Sequence, residues 1–435
     1  MPLFYVFTVD NLTFHVINDI VVMEMKNMDI IYKREDYLKK IRGFYDDTET
    51  IKVITGIRRC GKSTLLDMII EELKEKGIND RDIIKIKLDK RPNMNIHRPE
   101  ELEKLIDSKI TDDNFKYIFI DEVQNVLDFE PIIESYRLEN KYSIFITGSN
   151  SYLLSGDLVT KLTGRKIEIE MFPLNFYEYI EMKKELGKEV KSIYEEFETY
   201  IKTGGFPGVL KYDSQEDQQL YVKSVLNDIF EKDIKNNSKI KNKEMFENVE
   251  KFIVNNFGSE ISINSIVKYY ESINISIDYR TVEKYIESLV NAKILYPCDN
   301  FDIKSKQVLL GEKKYYLADL SIYFALNTDN RINYGPVLEN ILHNYLICKG
   351  YSLSVGKIGN LEVDFIARCD NDYYYLQVSK SIDDEKTSER EYKPFYEIKD
   401  LYPRYLFLLD LIINENVNGI KNVNIVKFIS NNEKL

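Results

Sequence analysis

The chain contains no tryptophan, only three histidines (His15, His97, His343) and four cysteines (Cys60, Cys298, Cys348, Cys369) in 435 residues. The cysteines are scattered and form no Cys-x-x-Cys pair, and the histidines are far apart in sequence. That excludes a secreted disulfide scaffold and a Cys/His zinc module, and it predicts a protein of the reducing cytoplasm. Basic charge is also in deficit: 60 Lys+Arg against 72 Asp+Glu leave a net charge of -12. An acidic chain does not coat nucleic acid indiscriminately, so any DNA contact has to be local. No apolar run reaches the ~20 residues of a membrane span. Residues 1–24 come nearest, but Asp10 and Asp19 interrupt them and no Lys or Arg precedes Met25, so they read as neither a signal peptide nor an anchor. They read instead as an edge strand, or as sequence upstream of a start at Met25 or Met28.

What is present is material for packed cores. Hydrophobic residues make up 44% and charged residues 30%, which excludes disorder as the main state. At roughly 150 residues per domain, the length suggests about three domains.

Residues 51–55 (IKVIT) form a short β-rich run, followed by Gly56-Ile57-Arg58-Arg59-Cys60-Gly61-Lys62-Ser63 and a helical pattern from Thr64 to Lys74. This is strand, G-x-x-x-x-G-K-[ST], helix, the pattern and context of a phosphate-binding loop. Its glycines turn backbone N–H groups toward phosphates at a helix N-terminus. The candidate nucleotide-binding residues are Gly56, Arg59, Cys60, Gly61, Lys62, Ser63 and Thr64. Lys62 is placed to reach the β- and γ-phosphates and Ser63 to give a hydroxyl to Mg²⁺. Cys60 beside a helix N-terminus raises the question of oxidation, but loop positions tolerate many residues.

A second buried-strand run, Tyr117–Ile120, closes on Asp121-Glu122. Asp121 suits a Mg²⁺ partner and Glu122 a general base that polarises the attacking water. A third run, Ser143–Thr147, closes on Gly148-Ser149-Asn150-Ser151, where Asn150 or Ser149 is a candidate to report the γ-phosphate, although the segment is equally explained as a turn. Arg165 follows, just before the run 167–170. An arginine there can stabilise transition-state charge, in cis or from a neighbouring subunit, or can simply be solvated.

Five short strands (51–55, 83–88, 117–121, 143–147, 167–170) alternating with helical stretches predict an α/β fold, a doubly wound parallel sheet with its ligand at the strand C-termini. The set TGIRRCGKSTLL, YIFIDEVQNV, FITGSNSYLLSGDLVTKLTGR and FPLNFYEY, with the later GGFPGVL (204–210) and the segment from Gly335 to Asp410, resembles a family of archaeal and bacterial AAA-type ATPases that carry a C-terminal domain of unassigned function. The resemblance spans nearly everything after residue 28. It implies an additional-strand, catalytic-glutamate P-loop core that binds ATP and Mg²⁺, and it supports Arg165 as a catalytic arginine.

Residues 232–243 are polar, without apolar periodicity, and read as a linker. Met245–Asn256, Ile261–Ser272 and Asp278–Ala292 show helical spacing, a strand-like run Ile294–Tyr296 follows, and Gln307–Leu310 with Lys314–Leu317 read as a hairpin. Three helices and a hairpin resemble a winged helix. Its third helix offers Tyr279, Arg280, Thr281 and Lys284 to DNA. Residues 244–311, however, hold about ten acidic and about seven basic residues where a basic face is expected, so structural coupling is favoured over DNA contact.

The last region, Glu339 on an apolar helix, an acidic strand with Glu362 and Asp364, a turn at 369–372 and a strand Tyr373–Val378, resembles a PD-(D/E)XK nuclease-like domain. Such nucleases gather an Asp, a second carboxylate and a Lys around a metal. Here Asp364 and Glu339 remain, Gln377 replaces the second carboxylate, Ser379 stands at the lysine position, and Lys380 is one residue late and on the opposite strand face. The reading is a fold kept for binding and not for cleavage, with Arg390, Arg404 and Tyr373–Tyr375 as docking or core residues and at least one of the tyrosines in the core.

The predicted organisation is an extension 1–28, an ATPase core 29–172, a helical lid 173–235, linker and winged helix 236–318, and a nuclease-like domain 319–435. The leading expectation is a Mg²⁺-dependent ATPase. Its rivals are an ATP-regulated DNA-cleaving enzyme and a slow nucleotide switch acting on a protein partner. Oligomerisation bears on all three through Arg165.

Overall fold

The computed structural model describes residues 5–9, 12–17, 20–25, 32–148, 164–238, 240–327, 331–410 and 414–435. The N-terminal stretch, expected as one edge strand, forms three short antiparallel strands of its own: β1 (Tyr5–Val9), β2 (Leu12–Ile17) and β3 (Ile20–Met25).

The five strands of the first half form one parallel sheet. β4 (Ile51–Gly56), β5 (Ile83–Lys87), β6 (Lys116–Asp121), β7 (Tyr142–Thr147) and β8 (Lys166–Met171) take the order β5-β6-β7-β4-β8. β4, β6 and β7 are buried along their whole length, as strands covered on both faces are, with Lys52, Lys116 and Ser143 buried among their mostly apolar residues. The strand order jumps between β4 and β7, so the chain crosses there and opens a crevice at the strand C-termini.

The lid follows as helices Phe176–Glu185, Ile193–Thr203 and Gln215–Ile229. Its Gly204-Gly205 pair is a close-packing device: a Cβ at Gly205 would stand 1.9 Å from the Leu174 carbonyl oxygen. The Gly205 N–H donates to Asp319 Oδ2 at 2.6 Å, and burial pushes the Asp319 carboxyl up to about 6. The linker expected from residue 232 begins later than that. Residues 230–234 continue the third lid helix as one π-helical turn and Lys235–Ser238 as a further helical turn. Ile234 and Asp233 are buried there, the aspartate through an ion pair, which leaves no mark in an apolar pattern.

Helices Lys243–Asn255, Ile263–Ser272 and Tyr279–Asn291 lie where the spacing predicts them. The expected hairpin is different. Gln307–Leu310 and Lys314–Leu317 belong to one strand, β11 (Gln307–Leu317), paired antiparallel with β10 (Leu295–Asp302). The register passes from Asp299↔Lys313 to Asn300↔Leu309, so Leu310–Glu312 bulge out, and the Asn300 side chain ties the bulge by donating to the Glu312 carbonyl. The short β9 (Glu260–Ile261) flanks β11.

The predicted boundary at 318/319 is not a boundary of the sheet. β10 pairs in parallel with β12 (Ser352–Ile358) through Asn300–Asp302 and Val355–Lys357. With β13 (Leu361–Cys369), β14 (Asp372–Ser379), β15 (Arg404–Leu408), β16 (Asn416–Val417) and β17 (Ile420–Asn424), this makes a single nine-stranded sheet, β16-β17-β15-β14-β13-β12-β10-β11-β9. One hydrophobic core runs from Leu38 and Ile69 through Phe206, Phe246 and Leu317 to Ile429, and a second fills the other face of the parallel sheet around Ile84, Ile120 and Ile146. Tyr375 is the core member of the tyrosine run, 1% exposed. No described helix is long and apolar enough to cross a membrane.

His343 sits in this core, its ring stacked on Tyr316 at 4.4 Å between centroids and its Nδ1 2.9 Å from Asn344 Oδ1. Burial holds its pKa down at about 4. The unfolded chain takes up this proton below about pH 6.5, and the native chain does not. The contribution to stability is therefore complete above that pH and is lost as pH falls toward 4, on the order of 3 kcal/mol in full. In urea titrations followed by circular dichroism, the wild type should lose more stability between pH 7 and pH 5 than His343→Phe; equal losses would contradict the assignment.

Candidate functional site

β4 ends on Gly56 with φ +137°, and a Cβ there would lie 2.1 Å from the Met171 carbonyl oxygen, so only glycine fits where the loop leaves the sheet. The loop then turns through Arg59 (φ +70°) and Gly61 (φ +110°) into the 14-residue helix Lys62–Glu75. The buried Lys62 ammonium donates to the Gly56 and Ile57 carbonyls at 2.8 and 3.2 Å, inside the curve of the loop. Cys60 is fully buried and burial pushes its thiol pKa up, so it contributes backbone and packing, not a reactive sulfur. Thr64 is exposed.

The ends of β6 and β7 meet this loop. Ser63 Oγ donates to Asp121 Oδ1 at 3.0 Å, and Thr147 Oγ1 donates to the same oxygen at 2.5 Å. Thr147 Oγ1 in turn accepts from the Glu122 N–H at 3.1 Å. Glu122 has a left-handed backbone (φ +57°), and its carboxylate accepts from the Gln124 amide. Burial raises the Asp121 pKa, the bonds from Thr147 and Ser63 oppose this, and the neighbouring Glu122 and Asp89 add to it. A carboxylate that burial penalises, beside a hydroxyl, is an all-oxygen donor pair suited to Mg²⁺, an ion that takes few protein ligands and leaves the rest to phosphates and water. Among the described residues no group of three or more His, Cys, Asp or Glu is arranged to hold a metal ion.

Sequence reasoning passes over Thr147 in favour of positions two and three residues further on. Those positions, Ser149 and Asn150, lie outside the described residues. The sequence does carry a signal for Thr147: it is the last residue of a fully buried strand adjacent to β6, where a hydroxyl has no apolar purpose.

Arg165 requires a correction. β8 runs parallel to β4, with Ile51 opposite Lys166 and Gly56 opposite Met171. Arg165 therefore stands at the strand N-terminal end, separated from its own phosphate loop by the length of β4, roughly 17 Å at ~3.3 Å per residue. Its guanidinium bonds Glu134 at 2.5 Å and its carbonyl accepts from the Ile51 N–H. Action in cis is excluded by strand direction.

Three arginines bond on or against the phosphate loop, two from the loop itself and one from its N-terminal side. Arg58 makes a two-pronged pair with Asp233 at 2.8 and 2.7 Å, and Arg59 lies 3.5 Å from Asp228. Arg34, 3% exposed, bonds Glu178 at 2.9 and 2.6 Å and donates to the carbonyls of Cys60 (3.2 Å), Phe172 (2.7 Å) and Pro173 (3.2 Å).

A second polar cluster lies in the nine-stranded sheet. Glu339 Oε2 accepts from Lys314 Nζ at 3.0 Å and from Tyr316 OH at 2.9 Å, and Lys314 also reaches Glu362 at 2.7 Å. Asp364 Oδ2 accepts from the Val378 N–H, while Gln377 takes the Asp364 N–H on its oxygen and gives its amide to Glu391 at 2.9 Å. Burial, and then the Glu339 charge, push the Asp364 pKa well up. Lys314 holds its charge against burial because Glu339, Asp364 and Glu362 surround it. Both Lys314 and Glu391 escape sequence reasoning, since each arrives from an element outside the helix–strand–strand pattern. Ser379 bonds the Ser381 carbonyl, Lys380 lies over the Tyr334 ring, and Arg404 bonds the Ile398 and Asp400 carbonyls.

Because Arg34 is buried with a buried partner, removing the guanidinium strands Glu178. Arg34→Met should cost about 3–5 kcal/mol in urea denaturation, far more than a surface arginine; a loss below about 1 kcal/mol would remove Arg34 as the anchor of the loop.

Residues 48–180 match a family model described as an AAA domain, and residues 194–332 match one described as a domain of unknown function. An uncharacterized protein of Haemophilus influenzae is 32% identical over 399 residues, 91% of this chain and 98% of that protein. An uncharacterized protein of Methanocaldococcus jannaschii is 32% identical over 362 residues, covering 81% and 79%. Among solved structures, the Aeropyrum pernix ORC2 protein in its ADPNP–ADP complexes aligns over 71% of this chain and 92% of its own at 11% identity, with a TM-score of 0.39. The phosphate loop, the parallel sheet behind it and near full-length identity together place the chain in one family with the Haemophilus and Methanocaldococcus proteins, built on an AAA-type P-loop ATPase-like domain.

Proposed function

We propose that the chain is a Mg²⁺-dependent ATPase that passes its nucleotide state to the C-terminal half. The observation that carries this reading is the hydrogen-bonded run Ser63–Asp121–Thr147–Glu122 at the C-terminal edge of the sheet, beside the lysine and curled backbone of the phosphate loop. Gly56 to Gly61 shape the loop, the Lys62 ammonium leaves its carbonyl partners for the β- and γ-phosphates, and the N-terminus of the Lys62–Glu75 helix favours the same anions. Ser63 and Asp121 are the residues to hold Mg²⁺, which when bound neutralises phosphate charge. Glu122 takes the proton of the attacking water while the water oxygen bonds to the terminal phosphorus and the bond to the bridging oxygen breaks, giving ADP and phosphate. Thr147 keeps Asp121 and the Glu122 backbone in register, and Asn150 remains the candidate reporter of the γ-phosphate.

Arg165 belongs in this scheme as a group offered to a neighbouring subunit, its own side chain being half-exposed in the pair with Glu134. The three helices with β9–β11 read as a winged helix used for coupling. The exposed start of its third helix carries Arg280 and Lys284, but Glu287 is exposed with them, which is poor complementarity for DNA. The nuclease-like reading of the last region is one without cleavage: Lys314 supplies positive charge among Glu339, Glu362 and Asp364, and a hard cation is left a neutral amide at Gln377.

Steady-state MgATP hydrolysis and fluorescent-nucleotide binding test this. Lys62→Ala should lose both, and Glu122→Gln should keep binding and lose at least about 100-fold in turnover. A Glu122→Gln protein that hydrolyses ATP at the wild-type rate would remove the catalytic assignment. Arg165→Ala should bind ATP normally and turn over slowly, and mixing it with Glu122→Gln should restore part of the rate, because each supplies what the other lacks.

A further inference from the structure

Glu122, the candidate base, is held at both ends. Its N–H donates to Thr147 Oγ1 at 3.1 Å, and its carboxylate oxygen Oε2 accepts from the Nε2 amide of Gln124. A side chain reaches back over so short a span because the left-handed backbone of Glu122, φ +57°, reverses the chain before the 3₁₀ turn Val123–Asn125. Left-handed residues other than glycine are uncommon, and they gather where function fixes the backbone. The turn is pinned on either side of Gln124. Val123 and Val126 are fully buried, and the Leu127 N–H donates to the His97 carbonyl at 3.0 Å.

The cost of this arrangement falls on the other half of the glutamine amide. A glutamine side chain offers two N–H donors and one acceptor oxygen. The Gln124 oxygen, Oε1, is buried and receives no hydrogen bond from any described residue. Turning the amide over gives no relief, because that sets the same oxygen against the Glu122 carboxylate. Buried polar atoms are nearly always paired, and an orphan in a native chain marks a place where something other than stability decides the residue. Methionine has a similar length, fills a similar space and strands nothing. What glutamine supplies and methionine lacks is the N–H to Glu122.

No other described side chain bonds this carboxylate, so with Oε2 occupied its second oxygen, Oε1, is the one left for chemistry. We propose that Gln124 is the positioning residue of the hydrolytic site, its amide holding Oε2 of Glu122 so that Oε1 is presented to the attacking water. This rests on the ATPase reading of the site. As the water oxygen bonds to the terminal phosphorus, the water proton passes to Oε1. Oε2 then becomes the carbonyl oxygen of a neutral acid and still accepts from the same N–H, so the clamp stays closed through the step. Thr147 fixes where the Glu122 backbone stands, and Gln124 fixes where its side chain points. Gln124 acts through Glu122 and not on the substrate.

In the full-length protein, Gln124→Met removes the donor and the stranded oxygen together. Steady-state MgATP hydrolysis should lose about 10- to 30-fold in kcat, with KM for ATP changed by less than about 2-fold. The urea midpoint should be no lower than that of the wild type, because an unpaired buried acceptor has gone. Added to Glu122→Gln, the same substitution should cost less than about 2-fold more in single-turnover rate, since no base remains to be positioned. A structural role produces the opposite pattern. An unchanged kcat, a KM that moves with kcat, an undiminished further loss in the Glu122→Gln background, a lowered midpoint or a failure to fold each overturns the proposal. Glu122→Gln by itself separates the underlying reading. If it hydrolyses ATP at the wild-type rate, the base assignment fails and takes the role of Gln124 with it. If it loses turnover while Gln124→Met keeps the wild-type kcat, the base stands and only the positioning role is lost.

Discussion

The buried guanidinium of Arg34 is the constraint on which the other contacts around the cleft depend. A single planar cation, unable to lose its proton, holds the backbone of the phosphate loop at Cys60, the exit of β8 at Phe172 and Pro173, and the first lid helix at Glu178. The helix it precedes, Glu35–Ile41, continues the clamp to the far end of the chain. Tyr37 OH accepts from the Phe172 N–H and lies 3.3 Å from Cys348 Sγ, Lys40 donates to the Cys348 carbonyl, and Asp36 pairs with Lys349. One seven-residue helix thus touches the half that carries the phosphate loop and the C-terminal half at once. Desolvating this arginine is costly, and only the completeness of its bonding makes the burial tolerable.

Much of the site is legible in the sequence because phosphate chemistry demands particular residues at particular spacings. Gly56, Gly61, Lys62 and Ser63 are fixed by a loop geometry that leaves few alternatives, and Asp121-Glu122 announce themselves by closing the apolar run Tyr117–Ile120. The parallel sheet is legible for a related reason: strands buried on both faces place apolar residues at most consecutive positions, polar exceptions such as Lys52 and Lys116 notwithstanding. Other features leave no local trace. Arg34 and Glu178 are 144 residues apart, and nothing near either one says that it is buried. The polar run around Asp233 reads as linker because ionic burial has no periodicity. The direction of β8, which moves Arg165 to the far end of the sheet, is a property of strand pairing and not of the residues beside it.

The C-terminal cluster makes the same point from the other side. The helix and two strands are readable, as are the neutral residues Gln377 and Ser379 on the second of them, yet the cation that settles the local charge comes from β11, a strand assigned by sequence to the preceding region. Lys314 is 4% exposed and has three carboxylates about it, an arrangement that would be costly for buried Lys314, Glu339 or Asp364 alone. A buried network of this kind is all or nothing, because each unpaired member inherits the full cost of its desolvation.

The parallel pairing of β10 with β12 has a consequence for how such chains can be reassembled. Hydrogen bonds that cross the border between two regions make them inheritable only together, because a recombination event near residue 318 would leave Asn300–Asp302 without the edge they complete and Val355–Lys357 without a neighbour. A viable exchange of C-terminal halves has to break the chain upstream, between the π-turn and the helix beginning at Lys243, where no strand ladder is cut. A unit that keeps β12 has therefore to keep β10 as well, and the region after residue 318 is not such a unit by itself.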